Sequence, residues 1–253
     1  MNHRSGFPAA STVLVAILLI SFVNALSQTK PINVLIVTGG HDFEHGPFYS
    51  VFSEQSNLHY DTLVQPRANA FIATAGVDKY DVLVFYDMFD AILPAEQQAY
   101  INLLKKGKAM IFLHHSLVSY QKWGEFIKIV GGKYHTSPVV VMGDTLKANY
   151  EHDVKMSVKI NDKQHPIAKG VNDFEIIDEV YSETEILPTV KPLLSTMLTK
   201  SMRYLAWINH YGNSDVIYIQ LGHGPSAYEN SNYRKLLRQA IEWSYNQHSV
   251  RGK

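Results

Sequence analysis

Three short apolar runs, residues 34–37, 110–113 and 216–221, are each followed within four positions by a histidine, and this repetition constrains the fold more than any other feature. Runs of that length, bounded by turn residues and separated by helical spacing, read as buried strands of a parallel sheet. In an open sheet of that kind the carboxyl ends of the strands border one crevice, and ligands bind there. His41, His114, His115 and His223 therefore fall where residues distant in sequence can meet. The chain has no cysteine, so a pocket at that place uses no thiol.

The rest of the chain repeats strand then helix. Strands are predicted at 32–38, 58–64, 81–86 and 108–113. Helices are predicted near 48–55, from Pro94 to a stop at Gly107, and over 123–130 to a stop at Gly131-Gly132. Tyr100, Ile101 and Leu104 are the expected inner stripe of the second helix. From 139 to about 192 the pattern changes to short strands (139–142, 154–160) and an acid-bearing alternation at 174–181, which reads as a β-rich insertion. Two more strands, 204–209 and 216–221, flank Gly212-Asn213-Ser214-Asp215, a spacer suited to a hairpin. A last helix over 232–246 turns Tyr233, Leu236, Leu237, Ala240, Ile241 and Ser244 inward. No repeat or linker interrupts the pattern, so residues 26–253 are expected to form a single α/β domain.

With 253 residues, 46% of them hydrophobic, the chain can bury one sizeable core. Basic and acidic residues balance at 23 each and form no basic block, which argues against nucleic acid as a partner. The N-terminus reads as a secretory signal over residues 1–25. His3 and Arg4 precede an apolar stretch at 9–23, and Val23 and Ala25 occupy the −3 and −1 positions of a cleavage site. That stretch is short for a membrane span, which needs about 20 residues. A periplasmic or secreted protein with no lasting membrane span is expected.

Several groups are candidates for chemistry. Gly39-Gly40-His41-Asp42 lets backbone approach a ligand, but it has neither dinucleotide-fingerprint nor P-loop spacing. His41 and His45 would share a helical face, except that Gly46-Pro47 is expected to break the turn. His114 and His115 point to opposite sides in an extended segment, so both reach a pocket only if the chain turns sharply. Alternation aims Glu179 and Tyr181 to one side, where a carboxylate beside a phenol can transfer protons, bind a cation or hold sugar hydroxyls. The expected catalytic set is His114 or His115 as base, Glu179 as acid or hydroxyl binder, and His223 as orienting or electrophilic group. Gly40, His41, Asp42, His135, Tyr181 and Trp207 are the expected substrate contacts. His41, His115 and His135 are the expected ligands if a divalent ion such as Zn²⁺ is bound. Three readings stay open: acid–base catalysis, metal-assisted catalysis, and a non-catalytic carbohydrate-binding module in which Trp207 or Tyr228 stacks on a sugar ring.

Taken in order, Val37-Thr38-Gly39-Gly40-His41, Phe112-Leu113-His114-His115, Val130-Gly131-Gly132, His165-Pro166-Ile167, Asp178-Glu179-Val180-Tyr181, Ala206-Trp207, Leu221-Gly222-His223 and Ile241-Glu242-Trp243 resemble the trehalose-utilisation (ThuA-like) family. This family sits within the class I glutamine amidotransferase-like superfamily. The resemblance implies a flavodoxin-like, mostly parallel sheet with helices on both faces. It also implies a link to carbohydrate catabolism, in particular to disaccharides and their 3-keto forms. In amidotransferases the elbow after this strand carries a cysteine, where this chain has His114-His115. His223 resembles their catalytic histidine, but Pro225 stands where their glutamate would be. Glutamine hydrolysis through a thioester needs a thiolate, so amidotransferase activity is not expected.

Overall fold

The computed structural model describes Met1 and residues 30–251, so the expected signal over residues 1–25 lies, Met1 apart, outside the described residues. Strand β1 (Ile32–Gly39) runs through α1 (His45–Ser53) to β2 (Leu58–Val64). Helix α2 (Arg67–Ile72) and a 3₁₀ turn lead to β3 (Val82–Asp87), and α3 (Pro94–Lys105) leads to β4 (Ala109–Leu113). A 3₁₀ turn at His114–Val118 precedes α4 (Phe126–Val130). The insertion comprises β5 (Gly132–Lys133), the hairpin β6 (Val139–Val141) and β7 (Asp144–Leu146), the long β8 (Asn149–Ile160), β9 (Phe174–Ser182), β10 (Glu185–Ile186) and β11 (Lys191–Ser195). The chain closes with β12 (Tyr204–Tyr211), β13 (Ser214–Ile219), α5 (Pro225–Tyr228) and α6 (Ser231–Arg251).

Nine strands form one sheet in the order β2-β1-β3-β4-β13-β12-β11-β8-β9. The first five are parallel. Their order is the 2-1-3-4-5 of flavodoxin-like folds, which places a crevice at the carboxyl ends near β1 and β3. The remaining pairings are antiparallel, so the insertion extends the same sheet. Successive side chains of a strand face opposite sides. Val34 and Ile36 accordingly pack with Phe48 and Phe52 of α1 and Leu237 and Ile241 of α6. Leu35 and Val37 pack on the other face with Ala68, Tyr100, Leu104 and Phe126 from α2, α3 and α4. Burial on both faces is why these strands read as unbroken apolar runs.

Three local expectations are corrected. Helix α1 starts at His45 and holds Pro47 inside its first turn, where proline is tolerated because that N–H has no intrahelical partner. Gly46-Pro47 therefore opens a helix instead of breaking one. The buried stripe of α3 is Tyr100, Leu103 and Leu104, with Ile101 only half-buried. Helix α4 starts at Phe126, three residues later than expected, because Trp123 is held in the preceding turn by its amide bond to the Tyr120 carbonyl. The six inward positions predicted on α6 are all buried.

Candidate functional site

The crevice is built around a sharp turn at the end of β4. His114 takes φ +46°, in the left-handed region that costs a non-glycine residue about 1 kcal/mol or more. Strand β13 next door pins it there. The Tyr218 hydroxyl donates to the His114 carbonyl at 2.9 Å, and His114 Nδ1 donates to the Gln220 carbonyl at 2.5 Å. A carbonyl only accepts, so Nδ1 carries a proton and Nε2 is turned into the crevice. There it meets Glu179 Oε2 at 2.7 Å and His223 Nδ1 at 3.2 Å. His223 Nδ1 also lies 3.2 Å from Glu179 Oε2.

Glu179 comes from β9, at the far end of the sheet, and is tied across to β13. The Gln220 side-chain amide donates to the Glu179 carbonyl at 2.5 Å. Asp178 accepts from the amides of Gly222 at 2.7 Å and His223 at 2.9 Å. The same loop is held from below by tyrosines: Tyr86 donates to the Gly222 carbonyl and Tyr228 to the His223 carbonyl. A side chain at Gly222 would strike the Tyr233 ring, and its φ of +113° suits only glycine. Burial alone would raise the Glu179 carboxyl, but hydrogen bonds and charge from His114 and His223 hold it far below the ordinary range. Reciprocally, the bond to Glu179 raises His223 despite its partial burial.

His115 and His41 form the other wall. The turn at His114 brings both neighbouring imidazoles to one side of the sheet, with ring centroids 5.5 Å apart. His115 lies 4.6 Å from His41 and 4.2 Å from Tyr86. It is 2% exposed, and neither of its ring nitrogens has a protein partner. Desolvation, then the neighbouring His114 and His41, lowers it well below the usual histidine range. His41 is lowered too, chiefly by burial, and its ring lies 5.7 Å from that of His223.

Two clefts meet here. One of about 550 Å³ is bounded by Asp42, Glu44, His152, Glu179, His223 and Ser226. The other, about 410 Å³, is bounded by His41, His115, Tyr150, His152, Glu179 and Tyr181. Glu179 and His152 belong to both. His152 was not foreseen from the sequence. It projects from a bulge in β8, where His152 and Asp153 together oppose Glu179 between the pairs Glu151–Val180 and Val154–Asp178. Its Nδ1 lies 3.4 Å from Glu179 Oε1.

Other expected contacts fall elsewhere. His135 pairs with Glu185 at 2.7 Å and borders neither cleft, so the trio His41, His115 and His135 is not gathered. The group whose ligand atoms all lie within 4.8 Å of one another is His114, Glu179 and His223. Trp207 is wholly buried; its indole N–H donates to the Val130 carbonyl and its ring packs on Tyr218, so it is a core residue and not a sugar platform. Tyr228 is likewise buried under the loop it supports. Gly40 serves the backbone, since a Cβ there would sit 1.8 Å from the Met88 carbonyl. Asp42 and Tyr181 do border the clefts, and Tyr181 shares Glu179's side of β9 as alternation required.

A family model described as trehalose utilisation (ThuA) matches residues 33–244. The chain belongs to the ThuA family. Solved structures agree on the ThuA fold. A ThuA-like protein of Parabacteroides merdae superposes with TM-score 0.72 at 18% identity, covering 85% of this chain and 90% of that one. A ThuA-like protein of Bacteroides uniformis gives 0.65 at 17%, covering 94% and 95%. A GMP synthase-type protein of Thermoplasma acidophilum gives 0.54 at 12%, covering 89% and 100%, so this ThuA protein shares the wider amidotransferase-like sheet. No curated protein matches the chain in sequence. No helix among the described residues is long and apolar enough to cross a membrane.

Proposed function

We propose that this chain is a carbohydrate-acting enzyme that works outside the cytoplasm on a disaccharide or glycoside carrying a 3-keto ring. The observation that carries the reading is the meeting of His41, His114, His115, His223 and Glu179, contributed by the ends of β1, β4 and β13 and by β9, around connected clefts. Family membership points to carbohydrate metabolism. The two clefts are large enough for one sugar ring on each side of Glu179 and His152. The N-terminal apolar stretch supports export.

The chemistry follows from the arrangement. The ketone oxygen lodges against the His114–Glu179–His223 cluster, where positive charge draws electrons from the C=O bond. His41, partly exposed and with Nδ1 unpartnered, takes the proton from the adjacent carbon. The C–H electron pair then forms an enediolate. It either returns to carbon with a new proton, or expels the glycosidic oxygen one carbon further on, which leaves with a proton. The balanced result is isomerisation or elimination, and neither needs an external oxidant.

The test is exchange of the proton beside the ketone in D₂O, followed by NMR, with 3-keto-trehalose and the unoxidised disaccharide compared. Exchange is expected with the keto sugar only, and Glu179→Gln should slow it by about 10²–10⁴-fold. Tight sugar binding with no exchange and no product would overturn the proposal and leave a carbohydrate-binding module.

A further inference from the structure

The centre of the site presents a problem of charge. With Nδ1 of His114 donating to a carbonyl, a neutral His114 offers a bare lone pair at Nε2. Ionised Glu179 Oε2 offers only lone pairs, and His223 Nδ1 faces both. Three such atoms at 2.7–3.2 Å repel one another unless something positive sits among them. Protons can fill that role only by making His114, which is wholly buried, a cation.

We infer that His114 Nε2, Glu179 Oε2 and His223 Nδ1 form a binding site for one divalent transition-metal ion, with its open position toward the larger cleft. Geometry supports this. The two imidazole nitrogens lie 3.2 Å apart. Ligands at zinc distances span tetrahedral edges of about 3.3 Å, so the pair is already in place, and Glu179 needs to draw back from His114 by roughly half an ångström. Two imidazoles, one carboxylate and an open fourth position is a donor set used by catalytic zinc. The supporting shell is present as well: the Gln220 carbonyl fixes the His114 tautomer, and Asp178 and Tyr228 fix the His223 backbone. His152 stands on the open side, 3.4 Å from the second oxygen of Glu179.

This deepens the proposed function and rests on it for its use, because a metal at this position would polarise the ketone in place of paired protons. The occupancy test is independent of that use. Protein purified without a polyhistidine tag and stripped with a chelator is titrated with Zn²⁺ by calorimetry and with Co²⁺ by visible absorption. One equivalent of each is expected, and Co²⁺ should develop the intense d–d bands of a four-coordinate ion. Glu179→Gln and His223→Asn should weaken Zn²⁺ binding by at least about 100-fold, while His210→Asn, on the exposed β12–β13 turn, should not change it. Absence of a saturable site in the unmodified chain would overturn the inference, whether or not any variant folds. So would wild-type affinity in a folded Glu179→Gln variant. No sugar enters this measurement, so its failure leaves the carbohydrate proposal standing, and a bound metal without proton exchange defeats only that proposal.

Discussion

Single residues near the crevice are held by contacts that leave little freedom. Gly40, at φ +84°, approaches the Met88 carbonyl so closely that even a methyl group collides. Gly40→Ala should lose about 3 kcal/mol or more, measured by urea unfolding, because both the dihedral and the neighbouring backbone must yield. Asp87, at the end of β3, offers a different test. It is fully buried beside Gln65, and desolvation pushes its carboxyl up to about 7. The folded state therefore keeps a proton that the unfolded chain releases near pH 4. Its stabilising effect is complete below about pH 4 and is lost as pH rises to about 7, on the order of 4 kcal/mol. Asp87→Asn keeps an acceptor for Gln65 and removes the titration. Stability of the variant minus that of the wild type should grow over this window and then level off; a constant difference would contradict the assignment.

At the scale of elements, the bulge in β8 is the feature to disturb. It sets two residues against Glu179 and holds Asp153 at φ +55°. Deleting Asp153 restores one-to-one pairing and re-aims His152. Turnover on a 3-keto disaccharide should fall by about tenfold or more with circular dichroism unchanged, whereas unchanged turnover would remove His152 from the site. The bulge also marks what the sequence conceals. Strands β1, β3, β4 and β13 were legible because burial on both faces leaves a continuous apolar signature, and the strand-end histidines followed from that. Glu179 and Tyr181 were legible as an alternating pair. His152 was not, because it lies in an exposed polar stretch and reaches the centre only through a long-range register. Trp207 was misread for a related reason: its cover comes from Val130 and Gly132, which the fold alone brings to it. The metal trio went astray because His135 follows α4 into a pairing with β10, away from the strand ends.

Across the whole molecule, two cores lie back to back on one sheet. Leu237 belongs to one and Trp207 to the other. Because both lean on the same strands, they should melt together. Leu237→Ala and Trp207→Ala should each lower one common unfolding transition by about 3 kcal/mol, read by calorimetry and by far-UV circular dichroism. Two separated transitions would show the faces to be independent.

The reacting carboxylate and its imidazole partners come from opposite halves of the sheet, and Asp178 clasps β9 to the Gly222-His223 loop. The site is thus a seam that exists only while both halves are docked. A lineage that remodelled the outer arm could retire or replace the acid while leaving the ancestral five-strand scaffold and its rings intact, so new reactions in this fold have a ready point of entry.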